Sequence, residues 1–297
     1  MITVIGDAVV DIIVRHGEIQ PATDTPSTVI VRAGGQGNNV AAWAAREGAA
    51  AQLIARIGHD VFGDFLVEEA ERQGIAGHWI RDPSAETGKI VILVEPKRGE
   101  RTMFVDRGAG ARLHPDDLPS LSSSSLLYVS AYALLGASSR RAVLLAREAA
   151  FARNLPLAVD PSSLTLIKTD RAPLIDFAQG ATFLFPNYDE GAALTGARDP
   201  EAIVRELARF VRIPVLKLGQ DGCLLYVDGQ MHHVQGHAIR EVVDTTGAGD
   251  AFVGTFLAAY VKTRDVLHAA ARAVTVAGGV VMQPGARPPL SRANRDT

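Results

Sequence analysis

The sequence has little of what marks a secreted, membrane or nucleic-acid-binding protein. Cys223 is the single cysteine among 297 residues, which excludes an internal disulfide and a metal site built from several cysteines. The net charge is −3, so the chain has no basic excess for nucleic acid or an anionic membrane. No apolar run is long and glycine-poor enough to span a bilayer, and no signal-peptide pattern precedes the strand-like residues 2–6. We expect a cytoplasmic protein that binds a small molecule.

What the sequence does contain is typical of a globular enzyme with a large core. Hydrophobic residues make up 47% and charged residues 21% of the chain, and its length of 297 residues suits one α/β unit with additions. Strand-like and helix-like segments alternate, with strands predicted at residues 126–130, 155–160, 181–185 and 214–218 and a Ser-capped helix at residues 138–154. This alternation predicts a parallel sheet covered by helices.

Residues 242–254 predict a strand, a tight turn and a helix in succession. Val242 and Val243 are β-branched, as is common in strands, while Gly247 and Gly249 permit a turn that other residues disfavour. Residues 251–260 are apolar enough for a buried helix. The turn therefore lies at a helix N-terminus, where the first backbone N–H groups have no intrahelical partner and favour a phosphate or a developing oxyanion.

Asp250 stands at this predicted helix start and has two possible roles. It is either an N-cap, which accepts hydrogen bonds from the next turn, or a general base, which takes the proton of an alcohol while adjacent amides hold a phosphoryl group. Serine or threonine would cap equally well, and the glycines upstream open the backbone to a ligand. We favour the general base.

Two glycine-containing segments together resemble a known enzyme family. Residues 244–252, Asp-Thr-Thr-Gly-Ala-Gly-Asp-Ala-Phe, resemble the C-terminal signature of the ribokinase-like (PfkB) family of carbohydrate and nucleoside kinases. Residues 33–41, Ala-Gly-Gly-Gln-Gly-Asn-Asn-Val-Ala, with Gly-His-Asp-Val-Phe-Gly at 58–63, resemble its N-terminal signature. The signatures occur in the family's order and span nearly the whole chain, so the chain is identified as a member.

The resemblance implies a single kinase domain over residues 1–297 with the ribokinase-like α/β fold. That fold has three layers, α/β/α, around a mostly parallel sheet, and a small β-sheet lid. The lid corresponds to about residues 13–32 and 89–107, whose strand-like sequences interrupt the helix–strand alternation. It closes over the acceptor and excludes water that would hydrolyse the phosphoryl donor. Because such lids often pair between subunits, we expect a homodimer.

The implied activity is transfer of the γ-phosphoryl group of ATP, neutralised by Mg²⁺, to the CH₂OH group of an acceptor. In this assignment Asp250 is the general base, and the amides of Gly247, Ala248 and Gly249 hold the phosphoryl group. The residues that match the family's nucleotide contacts are Asn187, Lys217, Gly219, Gly222 and Gly285.

Metal binding is implied at two places. Asn187 and Glu190 match an Asn-x-x-Glu motif that organises Mg²⁺, its waters and phosphate in the family. The alternative is a capping box in which Glu190 serves only the start of a helix. The family's monovalent-cation site, for K⁺, corresponds here to Asp244, Thr246, Val280, Gln283 and Gly285.

On the acceptor side, the resemblance assigns sugar hydroxyls to Asp11, Gly35 and Asn39. Carboxylate and amide groups suit a polyol because they accept or donate several hydrogen bonds. The glycine has a structural alternative, which is close packing of the following helix on the sheet. Asp7 either binds substrate at the carboxyl end of the first strand or caps a turn.

The identity of the acceptor is less defined. Val9 and Ser130 stand where ribokinase has an asparagine and a glutamate, and the loss of both groups disfavours plain ribose. The favoured acceptor is a small ribose- or fructose-like sugar, or a sugar acid whose carboxylate pairs with Arg107 or Arg101.

Two other functions stay open. A nucleoside kinase would stack the base of its acceptor on an aromatic face, for which Trp43, Phe104 and Tyr132 are available, although aromatic residues make up only 6% of the chain. A ligand-binding sensor would keep the fold without turnover, but such a protein has no need of Asp250 as a base.

Overall fold

The computed structural model describes residues 1–95, 100–237, 241–283 and 285–287. In this part of the chain the strands form a nine-stranded and a four-stranded sheet. The strands are β1 (Ile2–Ile5), β2 (Val9–His16), β3 (Ser27–Gly34), β4 (Ala51–Gly58), β5 (Ala76–Asp82), β6 (Thr87–Glu95), β7 (Glu100–Gly108), β8 (Leu126–Ser130), β9 (Leu157–Asp160), β10 (Phe183–Leu184), β11 (Ile213–Lys217), β12 (Cys223–Val227) and β13 (Gln230–Val234).

The large sheet has the strand order β13-β12-β11-β10-β9-β8-β1-β4-β5. Neighbouring strands from β11 to β5 run parallel, whereas β12 and β13 are antiparallel additions at one edge. Since the carboxyl ends of parallel strands meet at one edge of a sheet, the residues that follow them are brought together. The sequence-based prediction of a mostly parallel α/β sheet is confirmed.

Helices cover both faces of the large sheet. One core cluster joins the sheet to α1, α2, α8 and α9, and a second joins it to α3, α4, α5, α6 and α7, which gives the expected three layers. The helices are α1 (Gln36–Arg46), α2 (Val61–Arg72), α3 (Ala137–Ala152), α4 (Leu164–Thr169), α5 (Ala172–Ala178), α6 (Tyr188–Thr195), α7 (Pro200–Leu207), α8 (Ala248–Thr263) and α9 (Val266–Val280).

Helix α8 is fixed on the sheet by aromatic packing. The rings of Phe185 and Phe256 lie edge to face with centroids 5.0 Å apart, and those of Phe183 and Tyr260 do so at 4.8 Å. Buried aromatic pairs of this kind add to the free energy gained from burial alone. The helix N-terminus is therefore held rigidly at the carboxyl edge of the sheet.

Helices α1 and α8 approach each other at a glycine. A Cβ on Gly254 would lie 2.6 Å from Cβ of Trp43 and from the carbonyl oxygen of Val40, so a side chain at this position would push the helices apart. This contact sets the distance between the first turns of α1 and α8, which carry Asn39 and Asp250.

The small sheet has the strand order β3-β2-β6-β7. It overlaps the two segments predicted for the lid, but it begins earlier, at Val9, and extends to Gly34 and Gly108. Strand β2 pairs antiparallel with β3 and parallel with β6. The sheet therefore starts directly after the Gly6-Asp7 turn that follows β1, which couples it closely to the large sheet.

Three local predictions were wrong. Val242 and Val243 belong to no strand; both are exposed, and the N–H of Val243 donates to Val281 O. The helix predicted to begin with a serine cap begins after Gly136, which makes no side-chain cap bond. The strand predicted at residues 181–185 is only β10, because Thr182 and Phe185 bond to β9 outside a regular ladder. β-branched and serine residues are weak local signals that tertiary contacts override.

Cys223 is a free, fully buried thiol in β12, as expected for a structural cysteine. Burial raises the pKa of this thiol to about 12, which keeps it protonated and unreactive. Among the helices of the described residues, none combines the length and the apolar character needed to cross a membrane.

Candidate active site

The glycine turn before α8 is formed as the sequence predicts. Gly247 adopts a left-handed backbone with φ of 75°, and a Cβ there would lie 2.4 Å from Cβ of Ala286. Only glycine fits between the turn and the C-terminal segment. Ala248 begins the helix, followed in its first turn by Gly249 and Asp250.

Asp250 is paired with Asn39. The Nδ2 atom of Asn39 donates to Oδ2 of Asp250 at 2.8 Å. Burial raises the pKa of Asp250 to about 7, although the hydrogen bond from Asn39 acts to lower it. The residue at the N-cap is Gly247, with no side-chain cap bond, so Asp250 does not serve as the cap. A carboxyl that titrates near neutral pH is suited to take a proton from an alcohol.

Lys217 brings positive charge to the same place. Its Nζ atom donates to Oδ2 of Asp160 at 2.9 Å and lies 3.6 Å from the position that a Cβ on Gly249 would occupy. Burial acts to lower the pKa of Lys217, but Asp160 and Glu190 raise it above its usual value. The lysine is thus a fully charged group beside the first turn of α8, and not a solvated strand end.

Asp160 also ties this cluster to α1. Its Oδ1 atom accepts a hydrogen bond from Nε2 of Gln36 at 3.1 Å and another from the backbone N–H of Ser162 at 2.8 Å. The side chain of Ser130 donates to Oε1 of Gln36 at 2.5 Å. The last residues of β8 and β9, the loop after β9 and the start of α1 therefore form one hydrogen-bonded network.

Asp7 caps the start of α1, which matches its structural alternative, and its role toward substrate stays a prediction. Its Oδ1 atom accepts from the backbone N–H of Gln36 at 3.0 Å and of Gly37 at 3.4 Å, at the start of α1. Gly35, at the N-cap of α1 with φ of 92°, packs so tightly on Asp7 that a Cβ would lie 2.5 Å from its carbonyl oxygen. Gly37 packs on Gly6 in the same way. The glycines thus let the helix lie close on the sheet, as their structural alternative predicted.

Arg107 lies apart from the acceptor groups. Its Nη1 atom donates to Oδ2 of Asp7 at 3.1 Å, and its guanidinium covers the ring of Tyr132 at 3.8 Å. Arg107 lines a small space shared with these two residues, and it does not line the cavity that contains Asp11. The prediction that Arg107 pairs with the carboxylate of an acid is therefore not supported by its position; Arg101, the alternative, does line that cavity.

Asp11 opens into a cavity of about 450 Å³ between the small sheet, α2 and the C-terminal segment. A Cβ on Gly34 would lie 2.2 Å from Oδ2 of Asp11, so this glycine makes room for the carboxylate. Burial raises the pKa of Asp11 to about 6, while the charge of Arg287 acts to lower it. Arg287, another lining residue, also interacts electrostatically with Asp250 and links the cavity to the predicted base.

The aromatic residues predicted as candidates for stacking a base do not line this cavity. Trp43 is buried in the core, with its Nε1 atom donating to Ala286 O at 3.1 Å. Phe104 is 57% exposed on the outer side of the small sheet, and Tyr132 lies under Arg107. Phe65 is the aromatic residue among those lining the cavity in the described part of the chain.

Asn187 and Glu190 form a capping box at the start of α6. Oδ1 of Asn187 accepts from the N–H of Glu190 at 2.9 Å, and Oε2 of Glu190 accepts from the N–H of Asn187 at 2.9 Å. Glu190 is buried, and burial together with Asp160 raises its pKa. The capping box of the alternative reading is therefore present; it engages Oε2 of Glu190, and the role of this carboxylate toward Mg²⁺ stays a prediction.

The residues predicted for a monovalent cation surround Asp244. Its Oδ2 atom accepts from the N–H of Gly285 at 3.0 Å, and its Oδ1 atom accepts from the N–H of Thr246 at 2.9 Å and from Nη2 of Arg101 at 2.6 Å. Burial acts to raise the pKa of Asp244, but these hydrogen bonds lower it. The remaining pair lies at the end of α9, where the N–H of Gln283 donates to Val280 O at 3.0 Å.

The two glycines after β11 form a sharp turn beside Lys217. Gly219 has φ of 62° and open space where a Cβ would be, whereas a Cβ on Gly222, with φ of 86°, would lie 2.0 Å from Val234 O. Gly222 is required by the fold, while Gly219 leaves the surface beside Lys217 accessible.

Sequence reasoning missed three residues of the site. Asp160 ends strand β9 before a proline, and the rule that ligand groups follow the parallel strands of such a sheet would have found it. Gln36 lies inside the recognised glycine segment but was not singled out. Arg287 comes from a tail with no periodic pattern, so no local signal points to it.

Comparisons with known proteins agree with this geometry. The family model described as pfkB family carbohydrate kinase matches residues 1–293. A 2-dehydro-3-deoxygluconokinase of Thermoproteus tenax is 32% identical over 243 residues, which cover 79% of this chain and 74% of that protein. A fructokinase of Klebsiella pneumoniae is 32% identical over 267 residues, which cover 86% of this chain and 83% of the relative.

Solved structures show the same fold. A probable sugar kinase from Rhizobium etli CFN 42 superposes with a TM-score of 0.89 at 24% identity, covering 98% of this chain and 95% of that one. An adenosine kinase from Sinorhizobium meliloti gives a TM-score of 0.87 at 24% identity, with 98% and 96% covered.

The fold, the site and these comparisons together define the class of enzyme and the family. The protein is a phosphotransferase that uses an alcohol group as acceptor, and membership of its class implies the use of ATP and Mg²⁺. The chain belongs to the pfkB family of carbohydrate kinases. The family resemblance read from the two sequence signatures is confirmed.

Proposed function

We propose that the protein transfers the γ-phosphoryl group of ATP to a primary hydroxyl of a small sugar or sugar acid, with Asp250 as the general base. The observation that carries this proposal is the environment of Asp250. It is a buried carboxyl in the first turn of α8, with a pKa raised to about 7 and an amide donor, Asn39, on one oxygen.

The transfer follows from the arrangement around α8. The terminal phosphates of ATP lie against the amides of Gly247, Ala248 and Gly249, with the Lys217 ammonium beside them. The acceptor CH₂OH gives its proton to Oδ1 of Asp250, since Oδ2 is held by Asn39. Its oxygen then forms the new bond to phosphorus as the bond to the leaving β-phosphate oxygen breaks.

Asn39 is suited to hold the acceptor as well as the base. Its Oδ1 atom is buried with no hydrogen-bond partner among the described residues. Such an acceptor is costly to leave unpaired, so a substrate hydroxyl that donates to it gains binding energy. With Asp11 on the cavity wall, the site offers two hydroxyl acceptors on the acceptor side, which supports a polyol.

The site fits a Mg²⁺ ion whose ligands would come mainly from the phosphates of ATP. Within the described residues no group of three or more His, Cys, Asp or Glu side chains is placed to hold a metal alone. A buried Glu190 with a raised pKa, next to Asp160, is the carboxylate best placed to bind it through water, and Asn187 orients that carboxylate. When bound, Mg²⁺ supplies charge neutralisation for the transferring phosphoryl group.

A K⁺ ion fits its predicted residues poorly. The Arg101 guanidinium already gives Asp244 a positive partner and also contacts the hydroxyl of Thr246. Val280 O is already an acceptor for Gln283. Since a cation beside Arg101 would be repelled, we derive no step that depends on K⁺.

The cavity supports a sugar or sugar acid over a nucleoside. The apolar part of the cavity lining is mainly aliphatic and includes Ile13, Ile30 and Ile92 beside charged groups. The three aromatic residues predicted as candidates for stacking a base lie outside the cavity. The names of the two relatives, a 2-dehydro-3-deoxygluconokinase and a fructokinase, point to the same two substrate classes.

We also propose that two copies pair through the small sheet, which acts as the lid. Val29 and Phe104 are 60% and 57% exposed on its outer side, which is unusual for side chains that water disfavours. Analytical ultracentrifugation of the wild type and of Phe104→Ser tests this pairing; a dimer that becomes a monomer on substitution supports it, and a monomeric wild type contradicts it.

The function is tested by ADP release from ATP and Mg²⁺ across pentoses, hexoses, keto-deoxy sugar acids and nucleosides. We expect turnover with a sugar or sugar acid that Asp250→Asn abolishes. Turnover confined to nucleosides would overturn the acceptor class. No turnover with any compound, while calorimetry still shows ligand binding, would favour a sensor without catalysis.

A further inference from the structure

The cavity side of the small sheet carries an unusual amount of charge. Because alternate residues of a strand share a face, Asp11, Ile13 and Arg15 lie on one side of β2. Arg32 is the cross-strand partner of Asp11 on β3 and shares that face. All four residues line the cavity of about 450 Å³. Two basic side chains of the lid therefore point at the same space as the proposed hydroxyl-binding carboxylate.

Arg287 enters this cavity from the opposite side, on the C-terminal segment. Its Nη2 atom donates to Ala33 O, but its Nη1 atom is buried with no hydrogen-bond partner among the residues that the structure describes. Burial lowers the pKa of Arg287 to about 10, so the side chain stays charged at neutral pH. A buried guanidinium donor without a partner is costly in a folded protein, which makes it a candidate for binding a ligand.

The neighbouring carboxylates offset these cations only in part, because Glu69, Asp11 and Asp250 act to raise the pKa of Arg287 but do not outweigh its burial. Arg101, the fourth arginine of the cavity wall, is already paired with Asp244. Glu69, which also lines the cavity, is paired with Arg72. Glu69 also interacts electrostatically with Arg287, as Asp11 does, but neither carboxylate forms an ion pair with it in the described part of the chain.

The position of Arg32 places it next to Arg287. Its Nη1 atom lies 1.9 Å from where a Cβ on Gly285 would be, so its guanidinium occupies space that only a glycine leaves open. Gly285, with φ of 90°, is two residues before Arg287. Arg32 forms no ion pair with another described residue, and its charge is directed at the cavity.

We propose that Arg287 and Arg32 form a binding site for an oxyanion carried by the acceptor, a carboxylate or a phosphate, at a position distinct from the hydroxyl that is phosphorylated. This inference rests on the proposed kinase function and names the substrate class of that site. Two guanidinium groups on one cavity wall bind an oxyanion through charge-assisted hydrogen bonds and give little to a neutral sugar. Asp11 keeps its role toward hydroxyls, because its charge repels the oxyanion toward the arginines.

The test uses sets of compounds that differ in the anionic group. Glucose and fructose are the neutral compounds, gluconate and 2-dehydro-3-deoxygluconate carry the carboxylate, and the 1-phosphates of glucose and fructose carry the phosphate. Each keeps a free primary hydroxyl. Affinity is measured by calorimetry and turnover by ADP release, for the wild type and for Arg287→Gln, Arg287→Lys and Arg32→Gln.

We expect one anionic class to bind about tenfold or more tightly than its neutral counterpart. Arg287→Gln and Arg32→Gln should remove that preference, so the ratio of kcat/KM for the anionic compound to kcat/KM for its neutral counterpart should fall about tenfold or more, and Arg287→Lys should restore part of the ratio. Which class gains identifies the oxyanion as carboxylate or phosphate. Arg209→Gln is the control, because Arg209 follows α7, is 74% exposed and paired with Glu206, and does not line the cavity.

Equal affinity of the wild type for neutral and anionic compounds would overturn the inference. So would an Arg287→Gln variant that keeps its melting temperature but loses affinity for neutral and anionic compounds to the same extent. ADP formation from neutral sugars alone would contradict this inference and leave the kinase function standing. Anion binding that depends on Arg287, without ADP formation from any compound, would support the oxyanion site and contradict the kinase function.

Discussion

Asn39 and Asp250, which are 211 positions apart in the chain, meet through a hydrogen bond of 2.8 Å from the amide Nδ2 atom to the carboxylate Oδ2 atom. Each lies in the first turn of its helix, α1 or α8. The contact between Gly254 and α1 brings these turns together. The bond leaves the second oxygen of Asp250 for the proton of an acceptor and fixes the orientation of the carboxylate.

The pKa of Asp250 predicts how activity depends on pH. Burial raises this pKa to about 7, and a general base acts only when deprotonated. At saturating ATP and Mg²⁺, kcat/KM for the acceptor should rise about tenfold per pH unit below pH 7 and level off above it. Initial rates between pH 5.5 and 8.5 measure the profile. A profile that is flat over this range would argue against a carboxyl base with a raised pKa.

Replacing Asn39 should move that profile. Its hydrogen bond acts to lower the pKa of Asp250, so Asn39→Leu should shift the acidic limb to higher pH and reduce kcat/KM at pH 7. Asn39→Asp, which is nearly the same size, puts a second carboxylate beside Asp250 and should shift the limb further. An acidic limb at the wild-type position in both variants would show that Asn39 has no influence on the base.

Lys217 should affect both stability and the affinity for ATP. Lys217→Met leaves Asp160 buried without its ion pair, which should lower the free energy of unfolding by about 3–5 kcal/mol. The same variant should raise the KM for ATP, because the ammonium lies beside the first turn of α8. Urea unfolding and initial rates measure the two effects.

The double variant Lys217→Met with Asp160→Asn is the control for this prediction. It removes both charges of the pair, so stability should recover in part while the affinity for ATP stays low. Recovery of both properties would mean that Lys217 acts on ATP only through the fold.

Gly222 should tolerate no side chain. Gly222→Ala requires φ of 86° and places a Cβ 2.0 Å from Val234 O, so the free energy of unfolding should fall by about 3 kcal/mol or more. Gly229→Ala is the matched control, since Gly229 has φ of 82° and open space around it, and should cost about 1 kcal/mol. Chemical denaturation compares them; equal losses would mean that the contact with Val234 relaxes without cost.

Much of the fold follows from local sequence. Strands of a sheet covered by helices on both faces are buried, so they stand out in the sequence as continuous apolar runs. The glycine turn before Asp250 was also predictable, since Gly247 adopts a backbone that favours glycine. The prediction of a strand at Val242 and Val243 was wrong because local propensity alone does not make a strand. These residues have strand propensity, but the structure gives them no strand partner and exposes them.

The roles of individual site residues were harder to predict from the sequence where contacts between distant parts of the chain decide them. Asp7 follows a strand, as a ligand group does, yet the amides of α1 and the guanidinium of Arg107 occupy its carboxylate. Conversely, Arg287 carries no motif and becomes important only because the C-terminal segment folds against the cavity. Residue type and spacing do not encode which of several carboxylates or arginines is already paired.

The most direct test of the central claim compares Asp250→Asn with the wild type on the best acceptor. We predict that kcat falls by about 10²- to 10⁴-fold, while the dissociation constants of acceptor and ATP, measured by calorimetry, change little. The melting temperature at pH 8 should not fall, because burial disfavours the charge that the substitution removes. A variant that keeps kcat within about threefold of the wild type would contradict the assignment of Asp250 as the base.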